Sequence, residues 1–205
     1  MPFDTDLVRA RVPERHIVWL ESTASTMTAA AQLAAEGCAL GTVVVAEEQT
    51  AGQGRHGRRW HSEKCAGLYV SIILGRGLPP DSLQSLTLAL GLATREAILL
   101  ATGVSCELKW PNDLLVGGRK CAGILVQRTA AAVIAGIGVN VNQTAFPPEL
   151  EGSASSLRLV TGEVHSREGL LVRLLESVDK RIIGGRSSAV KKGDRDAVGV
   201  GCGQQ

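Results

Sequence analysis

The sequence predicts an α+β fold, a mixed and largely antiparallel β-sheet with helices packed on it. Two observations carry this expectation. Strand-like segments follow one another between about residues 105 and 139 with no helix among them, and the long apolar helical stretches lie outside that run. The regular strand–helix–strand alternation of a doubly wound sheet is absent. A third observation bounds the size: 205 residues, 44% of them hydrophobic, suffice for one domain with a substantial core.

Taken in order, residues 17–20 (Ile-Val-Trp-Leu) read as a short strand followed by a polar Ser/Thr stretch. Ser25 is placed to cap a helix of good helix formers that Gly37 stops. The β-branched run 42–47 predicts a buried strand, a Gly- and Arg-rich loop occupies about 49–67, and another strand follows at 68–74. After Pro79 and Pro80, Asp81 or Ser82 can cap a long apolar helix reaching about Leu100. Strands are predicted at about 105–109, 113–116, 120–127 and 131–139, two of them joined by the hairpin pair Gly117-Gly118. Leu170, Leu171, Leu174, Leu175 and Val178 recur at helical spacing and predict a last helix from Ser166 to about Arg181. Residues 1–16 read as an N-terminal extension, 17–183 as the domain proper, and the Gly-rich, charged 184–205 as a flexible tail.

Composition excludes some classes. The net charge of +2 leaves no overall nucleic-acid footprint, and the local cluster Arg55, Arg58, Arg59 suits a small anionic ligand better than a DNA backbone. Cys38, Cys65, Cys106, Cys121 and Cys202 form an odd set without a C-x-x-C pair, so neither a disulfide framework nor a zinc site is indicated. The N-terminus has no apolar leader and no later apolar run reaches membrane-span length by inspection. The expectation is a soluble cytoplasmic protein without nucleic-acid or membrane partners.

Two segments concentrate chemistry. Gly52-Gln53-Gly54-Arg55-His56-Gly57 matches G-x-G-x-x-G, but no helix opens at its third glycine, as a dinucleotide site requires. No G-K-[ST] ending and no kinase signature accompanies it either. Its distinctive feature is arginine interleaved with glycine: close-approaching backbone N–H groups beside guanidinium donors suit phosphate or carboxylate. A solvated surface loop is the alternative, and Trp60 behind it reads equally as a core anchor or as a cover over a bound ring. The second segment is Lys109-Trp110-Pro111-Asn112-Asp113, followed by Gly118 to Val126. A lysine entering an apolar strand needs an anion or a carboxylate, and an acid in the same loop suits a divalent metal. The bland alternative is a salt-bridged turn pairing Asp113 with Lys120.

Together these segments resemble the biotin–protein ligase family. The resemblance rests on E-S-T-A-S-T at 21–26, Q-T-A-G-Q-G-R-H-G-R-R-W at 49–60, K-W-P-N-D-L at 109–114, G-R-K-C-A-G-I-L-V at 118–126 and G-I-G-V-N-V-N at 136–142, in the family's order. It covers about residues 17–182 and implies a class II synthetase-like biotin/lipoate ligase catalytic domain. The activity it implies makes biotinyl-5′-AMP and pyrophosphate from biotin and ATP with Mg²⁺, then transfers biotin to a lysine of a biotin carboxyl carrier protein or domain. It further implies biotin contacts at Ser22, Thr23, Gln49, Gln53, Gly54, Arg55, Lys120 and Gly123. Lys120 and Arg55 would be catalytic, Arg58, Trp60, Asn112 and Asn140 would serve the nucleotide, and Asp113 a metal. The family often dimerises through sheet edges, which leaves a homodimer open.

Some features depart from the family pattern. Gln53 and His56 stand where many family loops have arginine. No helix-turn-helix fits in the residues before the first strand, so a monofunctional type is expected, and the tail lacks the strand pattern of the family's SH3-like C-terminal domain. A lipoate–protein ligase and a biotin-binding module without catalysis are the rival readings.

Overall fold

The computed structural model describes residues 3–75 and 82–183. Its strands are β1 Ile17–Thr23, β2 Val43–Gln49, β3 Gly67–Gly75, β4 Glu107–Lys109, β5 Asp113–Val116, β6 Arg119–Arg128 and β7 Val133–Asn140. Its α-helices are α1 Thr5–Arg11, α2 Thr26–Ala35, α3 Ser82–Thr102, α4 Leu157–Thr161 and α5 Arg167–Val178. The strands form one sheet in the order β1-β2-β3-β7-β6-β5-β4. Only β1 and β2 run parallel; every other pair is antiparallel. The expected α+β class, with its largely antiparallel mixed sheet, is what folds.

Both faces of the sheet are covered, which explains why β2 and β3 read as continuous apolar runs rather than alternating ones. Met27, Ala30 and Ala34 of α2 pack with Val44, Ile73 and Ile134 on one face. On the other, Leu90, Ala97 and Ile98 of α3 and Leu170, Leu171 and Leu174 of α5 close over Val43, Val45, Ile72 and Ile137. Beneath α5 lies a buried ion pair, Arg167 Nη1 to Glu47 Oε1 at 2.7 Å. Ser25 caps α2 as the sequence predicts, and Ser166, read as the first residue of the last helix, is the N-cap of α5. Gly117 and Gly118 have φ of 54° and 74°, the left-handed pair that a two-residue hairpin between β5 and β6 needs.

Four expectations are revised. β1 extends to Thr23, because Ser22 and Thr23 pair with the equally polar end of β2, Glu48 and Gln49, where apolar patterning gives no signal. The segment read as an N-terminal extension forms α1, which buries Val8 and Val12 in the common core, while Phe3 stacks on Trp19 at 4.7 Å. The five-residue α4, capped by Ser156 and closed by Gly162 at φ 78°, is too short for periodicity to reveal. α3 has the length and apolar composition to cross a membrane, contrary to inspection, but it packs here as a core helix against α5 and the sheet. Asp81, Pro79, Pro80, Cys202 and the segment read as a tail lie outside the described residues.

Candidate functional site

A small cavity, partly open to solvent, forms where the first turn of α2, the glycine-rich loop and strands β6 and β7 converge. Its floor is made of glycine. Gly123 of β6 and Gly138 of β7 are direct register partners, so the side-chain layer has a gap there. The indole of Trp60 lies in that gap: a Cβ on Gly138 would meet its ring at 2.5 Å, and one on Gly123 at 2.8 Å. Nearby, a Cβ on Gly136 would meet the Met27 sulfur at 2.6 Å. The indole nitrogen of Trp60 is buried without a hydrogen-bond partner.

Lys120 reaches this cavity because of a β-bulge. The register of β5 and β6 shifts between Leu114↔Ala122 and Leu115↔Lys120, so Cys121 is the extra residue. Cys121 and Ala122 consequently both face the core, and Lys120 and Gly123 both face the cavity. Strict alternation from Gly123 would have turned Lys120 inward. The bulge is held from outside, where the Lys120 N–H donates to Ser153 O and the Lys120 carbonyl accepts from Ser155 N, each at 2.9 Å. The Lys120 ammonium lies 2.7 Å from Asp113 Oδ1 and 5.3 Å from the Trp60 ring centre. The ion pair considered from sequence is therefore present, and it sits at the cavity.

The glycine loop folds as a small hairpin. Trp60 N donates to Gly52 O at 2.9 Å and Gly54 N to Arg58 O at 2.7 Å, around a 3-10 turn at Arg55–Gly57 in which His56 takes φ 57°. A hydrogen bond from Arg55 Nη1 to Asn112 Oδ1, at 3.2 Å, latches the loop to the far side of the cavity. Asn112 in turn donates through Nδ2 to Ile124 O at 3.2 Å, and its backbone carbonyl accepts from Ile124 N at 2.8 Å. Both ends of its amide are thus occupied within the protein. Asn112→Ala is expected to cost about 1 kcal/mol of stability but to speed trypsin cleavage at Arg55, Arg58 and Arg59 severalfold. Unchanged cleavage kinetics would mean that the latch does not hold the loop.

Of the residues proposed from sequence, Gln49, Gln53, Gly54, Arg55, Trp60, Asn112, Lys120 and Gly123 line this one cavity. Ser22 and Thr23 do not. They end β1 with Ser22 exposed, and the chain turns before α2, so the next Ser-Thr pair, Ser25 and Thr26, reaches the wall instead. Thr26 is joined to Gln49, whose Oε1 accepts from its backbone N–H at 2.8 Å. Arg58 is exposed on the loop. Asn140 is buried behind Lys120, its amide donating to Ser155 O at 3.1 Å and Lys120 O at 3.4 Å, so it supports the bulge from behind. Asp113 does not by itself fit a metal: its carboxylate is engaged by Lys120, and no cluster of three His, Cys, Asp or Glu occurs among the described residues. Sequence reasoning missed Met27, Tyr69, Gly136 and Gly138 as lining residues. The alternating glycines at 136 and 138 inside a strand were the available signal for a close approach.

Residues 19–143 match the family model described as the Biotin/lipoate A/B protein ligase family. The chain is 38% identical over 181 residues to the bifunctional ligase/repressor BirA of Bacillus subtilis, covering 85% of this chain and 56% of that protein. It is 37% identical over 152 residues to the biotin–[acetyl-CoA-carboxylase] ligase of Mycobacterium tuberculosis, covering 72% and 56%. It therefore spans little more than half the length of these curated relatives. Among solved structures, the biotin protein ligase of Aquifex aeolicus in complex with biotin and ATP superposes with a TM-score of 0.75 at 34% identity, covering 84% of this chain and 72% of that one.

Proposed function

The chain belongs to the biotin/lipoate A/B protein ligase family, and from that premise we propose that it activates biotin with ATP and transfers it to a lysine of a carrier protein. The observation that carries this reading is the convergence of Lys120 and Arg55 on one cavity with a paired-glycine floor. Relatives named as biotin–[acetyl-CoA-carboxylase] ligases, and a similar structure holding biotin and ATP, support it.

In the first half-reaction a biotin carboxylate oxygen attacks the α-phosphorus of ATP; the P–O bond to pyrophosphate breaks and biotinyl-5′-AMP remains. Two anions must approach, and preorganised positive charge at the reacting oxygens lowers that barrier most. Lys120 Nζ is the group we assign there, with Arg55 opposite it on the glycine loop. No Mg²⁺ site is assigned to this chain's side chains. The loop hairpin and Trp60 keep water from the mixed anhydride, which hydrolysis would waste. In the second half-reaction the carrier lysine amine attacks the acyl carbon, the acyl–phosphate bond breaks, AMP leaves and the amine proton is lost to solvent. No enzyme nucleophile is needed.

We read the carrier as the biotin-accepting domain of a biotin-dependent carboxylase, without nucleic-acid or membrane partners, and the compartment as the cytoplasm. The unpaired thiols of Cys38, Cys65, Cys106 and Cys121 fit a reducing environment. The test is pyrophosphate release with α-labelled ATP and Mg²⁺. Biotin-dependent pyrophosphate release and labelled biotinyl-AMP are expected, followed by release of labelled AMP and biotinylation of the carrier when a carrier domain is added. Lipoyl-AMP in place of biotinyl-AMP would reassign the substrate, and biotin binding without pyrophosphate would reduce the chain to a binding module.

A further inference from the structure

Ser71 stands in the middle of β3, between apolar neighbours Val70 and Ile72, with none of its surface exposed. A hydroxyl buried there costs free energy unless it is hydrogen-bonded. Its hydroxyl donates to Thr26 Oγ1, at 2.8 Å. Thr26 continues the chain of contacts: its N–H and its hydroxyl lie 2.8 and 3.1 Å from Gln49 Oε1, and Gln49 Nε2 lies 3.0 Å from Ser62 Oγ.

The directions of these bonds follow from one obligate donor. The backbone N–H of Thr26 can only donate, so the Gln49 atom facing it is the oxygen. The Thr26 hydroxyl proton is then directed to that same oxygen, and the hydroxyl of Ser71 must donate to Thr26. Gln49 is left with its NH₂ on the other side, one hydrogen toward Ser62 and one without a partner among the described residues. Thr26 keeps one free lone pair. Both residues line the cavity, whereas Ser71 does not.

We propose that Ser71 is a positioning residue for ligand specificity, holding Thr26 as an acceptor and Gln49 as a donor side by side on the cavity wall. That pair complements a ring carrying N–H next to C=O, a cyclic urea such as that of biotin, and offers nothing to the sulfur ring of lipoate. The inference rests on the biotin reading above and adds to it a residue that touches no substrate.

The experiment compares the whole chain with Ser71→Ala and Ser71→Thr, measuring biotin Kd by calorimetry and adenylation kinetics. Ser71→Ala is expected to raise Kd and KM for biotin about five- to tenfold, the size of one buried hydrogen bond, with kcat within about twofold. Ser71→Thr, which keeps the hydroxyl, restores the wild-type KM. The preference for biotin over 2-iminobiotin, whose imino group offers a donor where the urea offers its carbonyl, shrinks in Ser71→Ala. Should the alanine variant not fold, Ser71→Cys, a weaker donor of similar volume, carries the same comparison. A wild-type KM and analogue preference without the hydroxyl overturns the proposal, as does an equal loss in Ser71→Thr. Absence of biotin binding by the unmutated chain overturns the biotin reading itself, and is distinguishable because no variant is involved.

Discussion

Lys120→Ala is expected to lower the rate of biotinyl-AMP formation by about 10²–10³-fold, the effect of removing one preorganised charge from the reacting oxygens. It also leaves the Asp113 carboxylate, now 2.7 Å from an ammonium, facing two anionic substrates without a counter-charge. Biotin and ATP binding should therefore weaken together with the rate. The double variant Lys120→Ala/Asp113→Ala separates the two contributions: it should regain part of the binding and none of the rate. Lys120→Arg should recover little, because a guanidinium is bulkier and turns a compact point charge into a planar fork able to grip Asp113 with two nitrogens. Single-turnover measurement of the adenylate decides the matter, and a Lys120→Ala rate within tenfold of wild type, on the order of 1.4 kcal/mol, would remove Lys120 from the chemistry.

Arg167→Ala is expected to destabilise the fold by about 3–5 kcal/mol, because it strands a carboxylate in the core. Both side chains of the Arg167–Glu47 pair are 4% exposed. Glu47 Oε2 has no hydrogen-bond partner among the described residues, and the nearby Cys65 thiol, whose pKa the carboxylate raises, is only a weak donor. The guanidinium also lies 5.5 Å from the Phe3 ring centre and donates to Gly67 O, which ties α5, the N-terminal segment and the start of β3 to one point. Losing a third or more of a typical domain's stability would be visible as a large shift of the urea midpoint. The paired replacement Glu47→Leu/Arg167→Met should cost far less than either single change, since no charge is then left buried. A loss below about 1 kcal/mol in Arg167→Ala would mean that the pair behaves as a surface one.

The elements that were legible in the sequence are those whose signal is local. α2 and α5 carry serine caps and helix-forming runs, the β5–β6 turn carries its two glycines, and the buried strands carry β-branched residues. α1 was not legible: its burial is against α5, more than 150 positions away along the chain, and nothing in a short charged segment announces that distant partner. Two Ser-Thr pairs, Ser22-Thr23 and Ser25-Thr26, stand three residues apart, and a motif match does not distinguish their directions. Only the turn between β1 and α2 decides which of them meets the cavity.

Lys120 and Arg55 could be named because the motifs that hold them match the biotin–protein ligase family in order, and positive charge beside close-approaching glycine suits an anionic ligand. Their meeting could not. Lys120 faces the cavity because the bulge at Cys121 reverses the alternation of β6, and Arg55 faces it because Asn112 holds the glycine loop across the same opening. A strand's period of two is a local rule, but where it is broken depends on the pairing of neighbouring strands. The sequence by itself determined the chemistry available to this protein; the tertiary structure decided which side of the sheet that chemistry faces, because side-chain direction is settled by register and packing rather than by residue identity.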